Sequence, residues 1–177
     1  MLFNTIEFVI FFTVIIVLLV LLKNRQFQIG SVLVASYFFF YFTSNYLITL
    51  LVFTTIWNYY FAQAIWNSNS QSKKKYLLTI NLAGSLGLLG IFKYADFGIE
   101  QFNNLALNFG ISEIPYLDLI LPIGISFYTF QALSYTLDIY RGKLSPCKSF
   151  WEFAFFVSFF PQLVAGPILR ASDFLPQ

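Results

Sequence analysis

Residues Phe3–Leu22, FNTIEFVIFFTVIIVLLVLL, decide which solvent this chain folds in. The run holds one charge, Glu7, close to its start. A helix rising about 1.5 Å per residue over such a stretch matches the ~30 Å hydrocarbon core of a bilayer. A cleavable signal would have a basic start, a shorter apolar core and small residues at its end. Here the charge before the run is acidic, and Lys23-Asn24-Arg25 follows it. The stretch reads as a retained first membrane helix.

Composition extends that reading to the whole chain. The sequence is 58% hydrophobic and 10% charged, against about 45–50% and about 25% for soluble domains. A short chain cannot hide so much apolar surface in one water-facing core, because surface falls too slowly with size. The excess is expected to face lipid, so the bilayer is the first partner. A net charge of +2 gives no electrostatic footing for nucleic acid. The single Cys147 excludes an internal disulfide, and the sequence contains no histidine. No metal-ligand spacing is visible.

Further apolar runs follow at Ile29–Phe42, Tyr46–Trp66, Tyr76–Phe92 and Leu119–Tyr140. Thr43-Ser44-Asn45 and NSNSQSKKK (67–75) separate the early runs. Asp96–Asp118 reads as an acidic loop with an interfacial helix near Phe97–Phe109. Phe150–Leu169 is apolar but interrupted by Pro161, Gly166 and Pro167. Backbone groups cannot stay unpaired in lipid, so the spans must be helices. The fold class expected is all-α: a polytopic membrane protein with about five transmembrane helices plus one broken or re-entrant segment.

Basic residues cluster at Lys23/Arg25, Lys73–Lys75 and Arg141/Lys143/Lys148. The connections between these clusters are uncharged or acidic. Cytoplasmic loops carry the Lys/Arg excess, so the N-terminus is expected outside the cytoplasm. Lys93 departs from the pattern, and its stem can reach the headgroups.

Candidate site residues lie in the last two apolar runs. On a helical wheel Gly124, Tyr128, Gln131, Ser134, Tyr135 and Asp138 form one stripe. Such groups are expected to face protein or a wet cavity. Asp138 has two open readings: an ion pair with Arg141 at a helix end, or a place on a substrate path. Arg170 likewise either ends a helix at the headgroups or contacts a phosphate or carboxylate. Asn58, Gln63 and Asn81 suit interhelical hydrogen bonds. Gly84–Gly90, GSLGLLG, lacks the spacing of a dinucleotide loop and suits close helix packing. Pro161 and Gly166-Pro167 cannot continue a regular helix.

Two blocks then carry a resemblance. They are LPIGISFYTFQALSYTLDIYRG, from Leu121 through Pro122 and Gly124 to Gly142, and FPQLVAGPILR, from Phe160 to Arg170. With IFKYADF at 91–97, they resemble the membrane-bound O-acyltransferase family, in the branch of alginate O-acetyltransferases and D-alanyl transfer proteins. The resemblance implies a ring of helices around a funnel, with an acyl donor such as acetyl-CoA or an acyl carrier. It implies an acceptor hydroxyl on a cell-surface polysaccharide and an essential histidine in the later part of the chain. A positioned base is what a hydroxyl needs to become a nucleophile.

With no histidine present, that base has no position here. Residues 1–177 are therefore expected to form a single partial membrane domain, the N-terminal part of such an enzyme and inactive alone. The expected partners are the remaining C-terminal part and a partner acyltransferase acting outside the membrane. Tyr128, Gln131, Ser134, Tyr135, Asp138 and Arg170 would line the funnel or guide a phosphate-containing donor. Pro122, Gly124, Pro161, Gly166 and Pro167 would shape it. A non-catalytic polytopic protein, a transporter component or scaffold, is the alternative, although no repeat supports a transporter.

Overall fold

The computed structural model describes residues 5–166 and 170–174, with side chains at 163–165 not described. Pro167 lies outside the described residues. All regular structure among the described residues is helical: α1 (Ile6–Leu21), α2 (Arg25–Ser44), α3 (Ile48–Trp66), α4 (Gln71–Asn108), α5 (Ile125–Tyr140), α6 (Phe150–Ser158), α7 (Phe160–Ala165) and α8 (Ala171–Phe174). A 3₁₀ turn, Asn45–Leu47, joins α2 to α3.

Local chemistry sets the helix starts. Thr5, Asn24 and Ser149 accept a first-turn amide with their side chains, from Phe8, Gln26 and Trp151 respectively. At the other end of α1, the Gln28 amide donates to the Leu19 and Leu22 carbonyls at 3.1 and 2.8 Å. That one side chain ties the end of α1 to the beginning of α2.

The surface explains why lipid is the solvent. Along α1 only Ile15 is buried, while Ile6, Val9, Ile10, Val14, Val17 and Val20 are exposed. A helix apolar all round would be untenable in water. Two helical stretches, Arg25–Trp66 and Gln71–Asn108, are long and apolar enough to cross a membrane. At 16 residues each, α1 and α5 measure about 24 Å.

Two expected boundaries moved. The apolar run ending at Phe92 and the helix near Phe97–Phe109 are one continuous helix of 38 residues, about 57 Å long. Lys93 and Asp96 do not stop it, because beyond Phe92 the sequence keeps a helical period. Tyr94, Phe102, Leu105 and Phe109 share one face, and Lys93, Glu100, Asn104 and Asn108 share the opposite face. The helix ends at Phe109 in a Schellman arrangement: the Gly110 amide donates to Leu107 and the Ile111 amide to Ala106. Gly110 takes φ 68°, which only glycine adopts cheaply. The chain then folds back on α4. Asn103 binds both the amide and carbonyl of Ile114, and Asp96 accepts the Leu117 amide.

The second moved boundary is the start of α5. Leu119–Gly124 is not helical. Pro122 turns the chain and Gly124 sits at the N-cap with φ 78°, so Gly124 precedes the helical stripe rather than joining it.

α3, α4 and α5 pack together as the core. α3 and α4 run antiparallel, with Asn58 beside Asn81 and Trp57 against Gly84. A Cβ on Gly84 would sit 2.6 Å from the Trp57 ring, so this glycine is what lets the helices approach. Gly87 and Gly90 face open space. The same register places Ile48, the start of α3, level with Ile91, so the rest of α4 extends past the end of α3.

The three basic connections gather at one end. Gln71 at the start of α4 reaches Tyr140 at the end of α5. Gln63 near the end of α3 donates to Cys147. Arg25 shares a cleft with Glu152 of α6.

Candidate functional site

The α6–α7 break lies against α5, and side chains from two other helices meet two of the backbone groups it frees. An uninterrupted helix would pair the Phe160 amide with the Phe156 carbonyl. Phe159, at ψ 107°, opens that pair. Pro161 falls in the first turn of α7, where its missing N–H costs nothing. The Gln131 amide donates to the Phe156 carbonyl at 2.6 Å, and the Phe160 amide donates to Ser36 Oγ at 3.2 Å. Gln131 also lies 3.4 Å from Gln162 Oε1. A helix on each side of the break thus replaces one half of the lost hydrogen bond.

Gly166 closes α7. Its amide donates to the Gln162 carbonyl, and a Cβ there would meet the Gln162 Cα at 2.7 Å. The chain leaves in extended backbone, φ −87° and ψ 155°. Arg170 is exposed, and its carbonyl accepts the Asp173 and Phe174 amides of the short α8.

The α5 stripe divides by depth. Tyr128 and Tyr135 are fully buried, and Gln131 is nearly so. Ser134 and Asp138 are half-buried. Tyr135 accepts the Cys147 amide at 2.8 Å and packs on Phe153 in a tilted pair with ring centroids 4.4 Å apart. Ser134 donates to the Gln131 carbonyl of its own helix. Asp138 and Arg141 do not form an ion pair; the Asp138 carbonyl instead accepts the Lys143 amide across the turn at Gly142. The Tyr128 and Thr129 hydroxyls have no protein partner.

A second polar knot joins α3, α4 and α5. Asn58 accepts from Asn81 at 3.1 Å and from Thr136 at 3.3 Å, and donates to Thr54 and Ser85. These groups are buried. Among the described residues, no cluster of His, Cys, Asp or Glu could hold a metal ion. Of the stripe residues, none lines the four principal clefts, which lie around α1, α2 and α6 and beside Gln63 and Cys147.

Curated relatives match along the entire chain. It is 35% identical to "Probable alginate O-acetylase AlgI" of Pseudomonas putida over 179 residues, covering all of this chain and 37% of the relative. It is 34% identical to the protein of the same description from Pseudomonas aeruginosa, covering all of this chain and 34% of that one. The "Peptidoglycan O-acetyltransferase" of Helicobacter pylori is 34% identical over 88% of this chain and 33% of its own length. Along its whole length the chain is similar to proteins named as O-acetyltransferases, as an N-terminal portion of a membrane-bound O-acyltransferase would be. It spans about a third of the length of the curated relatives it matches. No family model matches it, and no solved structure does.

Ser36 and Gln162 complete the break without having been singled out in the sequence. Gln162 sits inside the FPQLVAGP block. Ser36 lies in an apolar helix far away in sequence, and nothing local marks it. A small hydroxyl in SVLVASYFFF has an immediate local use, its donation to the Val32 carbonyl, so its second bond is visible only in three dimensions.

Proposed function

We propose that this chain forms the front wall of a membrane O-acetyltransferase that transfers an acetyl group to hydroxyls of a cell-surface polysaccharide. The supporting observation is the 34–35% identity along the whole chain to proteins named as alginate O-acetylases. In this reading α1–α5 are five membrane crossings, with the N-terminus outside the cytoplasm and the basic connections inside. Gln131 holds the α6–α7 break in place, Tyr135 packs on Phe153 of α6, and the break with Tyr128 and Arg170 borders the funnel. The acyl donor is acetyl-CoA or an acyl carrier. The base that deprotonates the acceptor belongs to the part of the relatives that this chain does not span. A second acyltransferase outside the membrane would pass the group to the polymer.

A chimera tests this. The corresponding first third of an alginate O-acetylase is replaced by this chain, and the hybrid is placed in an alginate-producing host lacking that enzyme. Ester acetate on the secreted polymer is the expected result. A hybrid that inserts in the membrane at normal abundance yet leaves the polymer unacetylated would overturn the reading.

A further inference from the structure

Three clefts meet around the first half of α2, and Gln26 lines all of them. One, about 550 Å³, runs between α1 and α2 and is walled by Phe11, Val14, Leu18, Val34 and Phe38. The next, about 480 Å³, lies between α2 and α6 and carries Leu33, Ser149, Trp151 and Glu152. The last, about 560 Å³, holds Arg25, Gln28 and Glu152, with Phe155 and Phe174 behind them. Gly30 lines the first two, and a Cβ there would touch nothing within 4 Å. Open space beside this helical glycine thus joins the α1–α2 groove to the α2–α6 cleft, which shares Gln26, Ile29 and Glu152 with the third, the mouth.

The mouth carries one cation and one anion that share a cleft without forming an ion pair. It sits at the end of the bundle where the basic connections gather. A guanidinium suits a phosphate, and a carboxylate suits an ammonium group. The α1–α2 groove offers mostly apolar walls, which suit an acyl chain. We propose that these connected clefts bind one phospholipid whose headgroup carries both a phosphate and an ammonium group, as in phosphatidylethanolamine. Arg25 and Gln26 hold the phosphate, Glu152 holds the ammonium, and a chain passes Gly30 into the α1–α2 groove. The site is separate from the α5–α6–α7 contact and does not depend on the acyl-transfer reading.

Native mass spectrometry of the full chain tests this. The protein is released from bilayers containing equal phosphatidylethanolamine and phosphatidylglycerol. The wild type is expected to retain one lipid, with phosphatidylethanolamine preferred. Glu152→Gln should reduce that preference about tenfold, the worth of one charge-assisted hydrogen bond, while still retaining lipid. Arg25→Gln should weaken both lipids. Gly30→Leu, a change that favours helix, should expel both. Glycerophosphoethanolamine, which has no chains, should not compete; competition would show a free-phosphate site and overturn the lipid assignment. Equal retention of both lipids in wild type and Glu152→Gln would overturn the headgroup assignment, even if Gly30→Leu fails to fold. No retained lipid in any protein would overturn the site, and would point to a later stretch of polypeptide as the occupant.

Discussion

Gln131 donates to the Phe156 carbonyl at 2.6 Å, the carbonyl that a continuous helix would have paired with the Phe160 amide. The broken helix is therefore not loose. The two halves of the opened Phe156–Phe160 pair are held from opposite sides, one by α5 and one by Ser36 on α2. In lipid an unmet backbone group has no water to turn to, so these two side chains let the break exist.

Gln131→Leu keeps the volume and removes the donor. The Phe156 carbonyl then has no partner, at a cost of about 1–2 kcal/mol. The unfolding midpoint in detergent is expected to fall by about 2–4 °C per kcal/mol. Ser36→Ala should act in the same direction, and the double variant should lose more than either. An unchanged midpoint in the double variant would show that the break needs neither side chain.

Glycines of the GSLGLLG run should separate by what they face. Gly84→Ala drives a methyl into the Trp57 ring, 2.6 Å away, and loosens the α3–α4 contact. Gly90→Ala meets nothing and gains about 0.5–1 kcal/mol from the reduced backbone entropy of the unfolded chain. Thermal melts of the two variants are expected to move in opposite directions. Gly166→Ala belongs with the first, since its methyl would meet the Gln162 Cα at 2.7 Å.

Sequence showed the apolar helices because lipid imposes one crude demand, a long run without charge, and α1, α2 and α3 meet it. It misplaced the end of α4 because Lys93 and Asp96 look like a stop when charge is read alone. The 3.6-residue spacing of Tyr94, Phe102, Leu105 and Phe109 was the better signal. Pro122 and Gly124 marked the start of α5, yet the apolar run through them suggested a longer helix. The polar stripe was legible as inward-facing, and Asn58, Gln63 and Asn81 as interhelical hydrogen-bonding groups, though not that Asn58 and Asn81 pair with each other. Which distant groups Gln131 and Tyr135 meet was not legible, since Phe156 and Cys147 are brought there by the turn at Gly142 and the α6–α7 break.

Cys147 offers a pH-dependent measurement. It lies between α5 and α6, and burial pushes its thiol above the ordinary value of 9.0, with the Tyr135 hydrogen bond opposing. The folded chain thus favours the protonated thiol. Its contribution to stability is full below that ordinary value and is lost as pH rises through the higher folded value. Alkylation by iodoacetamide needs the thiolate, so its midpoint in folded protein should lie alkaline of the midpoint in detergent-denatured protein. Coincident midpoints would show that the thiol is not buried.

The proposed orientation rests on the gathering of Lys23, Arg25, Lys73–Lys75, Arg141 and Lys143 toward one end of the bundle. Asn104, exposed on the far part of α4, should then lie outside the cytoplasm, and Ser70, exposed before α4, inside it. Single-cysteine variants Asn104→Cys and Ser70→Cys, each in a Cys147→Ser background, are treated in intact cells with a membrane-impermeant maleimide. Asn104→Cys is expected to label at once and Ser70→Cys only after the cells are opened. The reverse order would invert the protein in the bilayer. Labelling of both in intact cells would mean that α4 does not cross, leaving its 38 residues to lie along the surface with the Tyr94, Phe102, Leu105 and Phe109 face toward lipid.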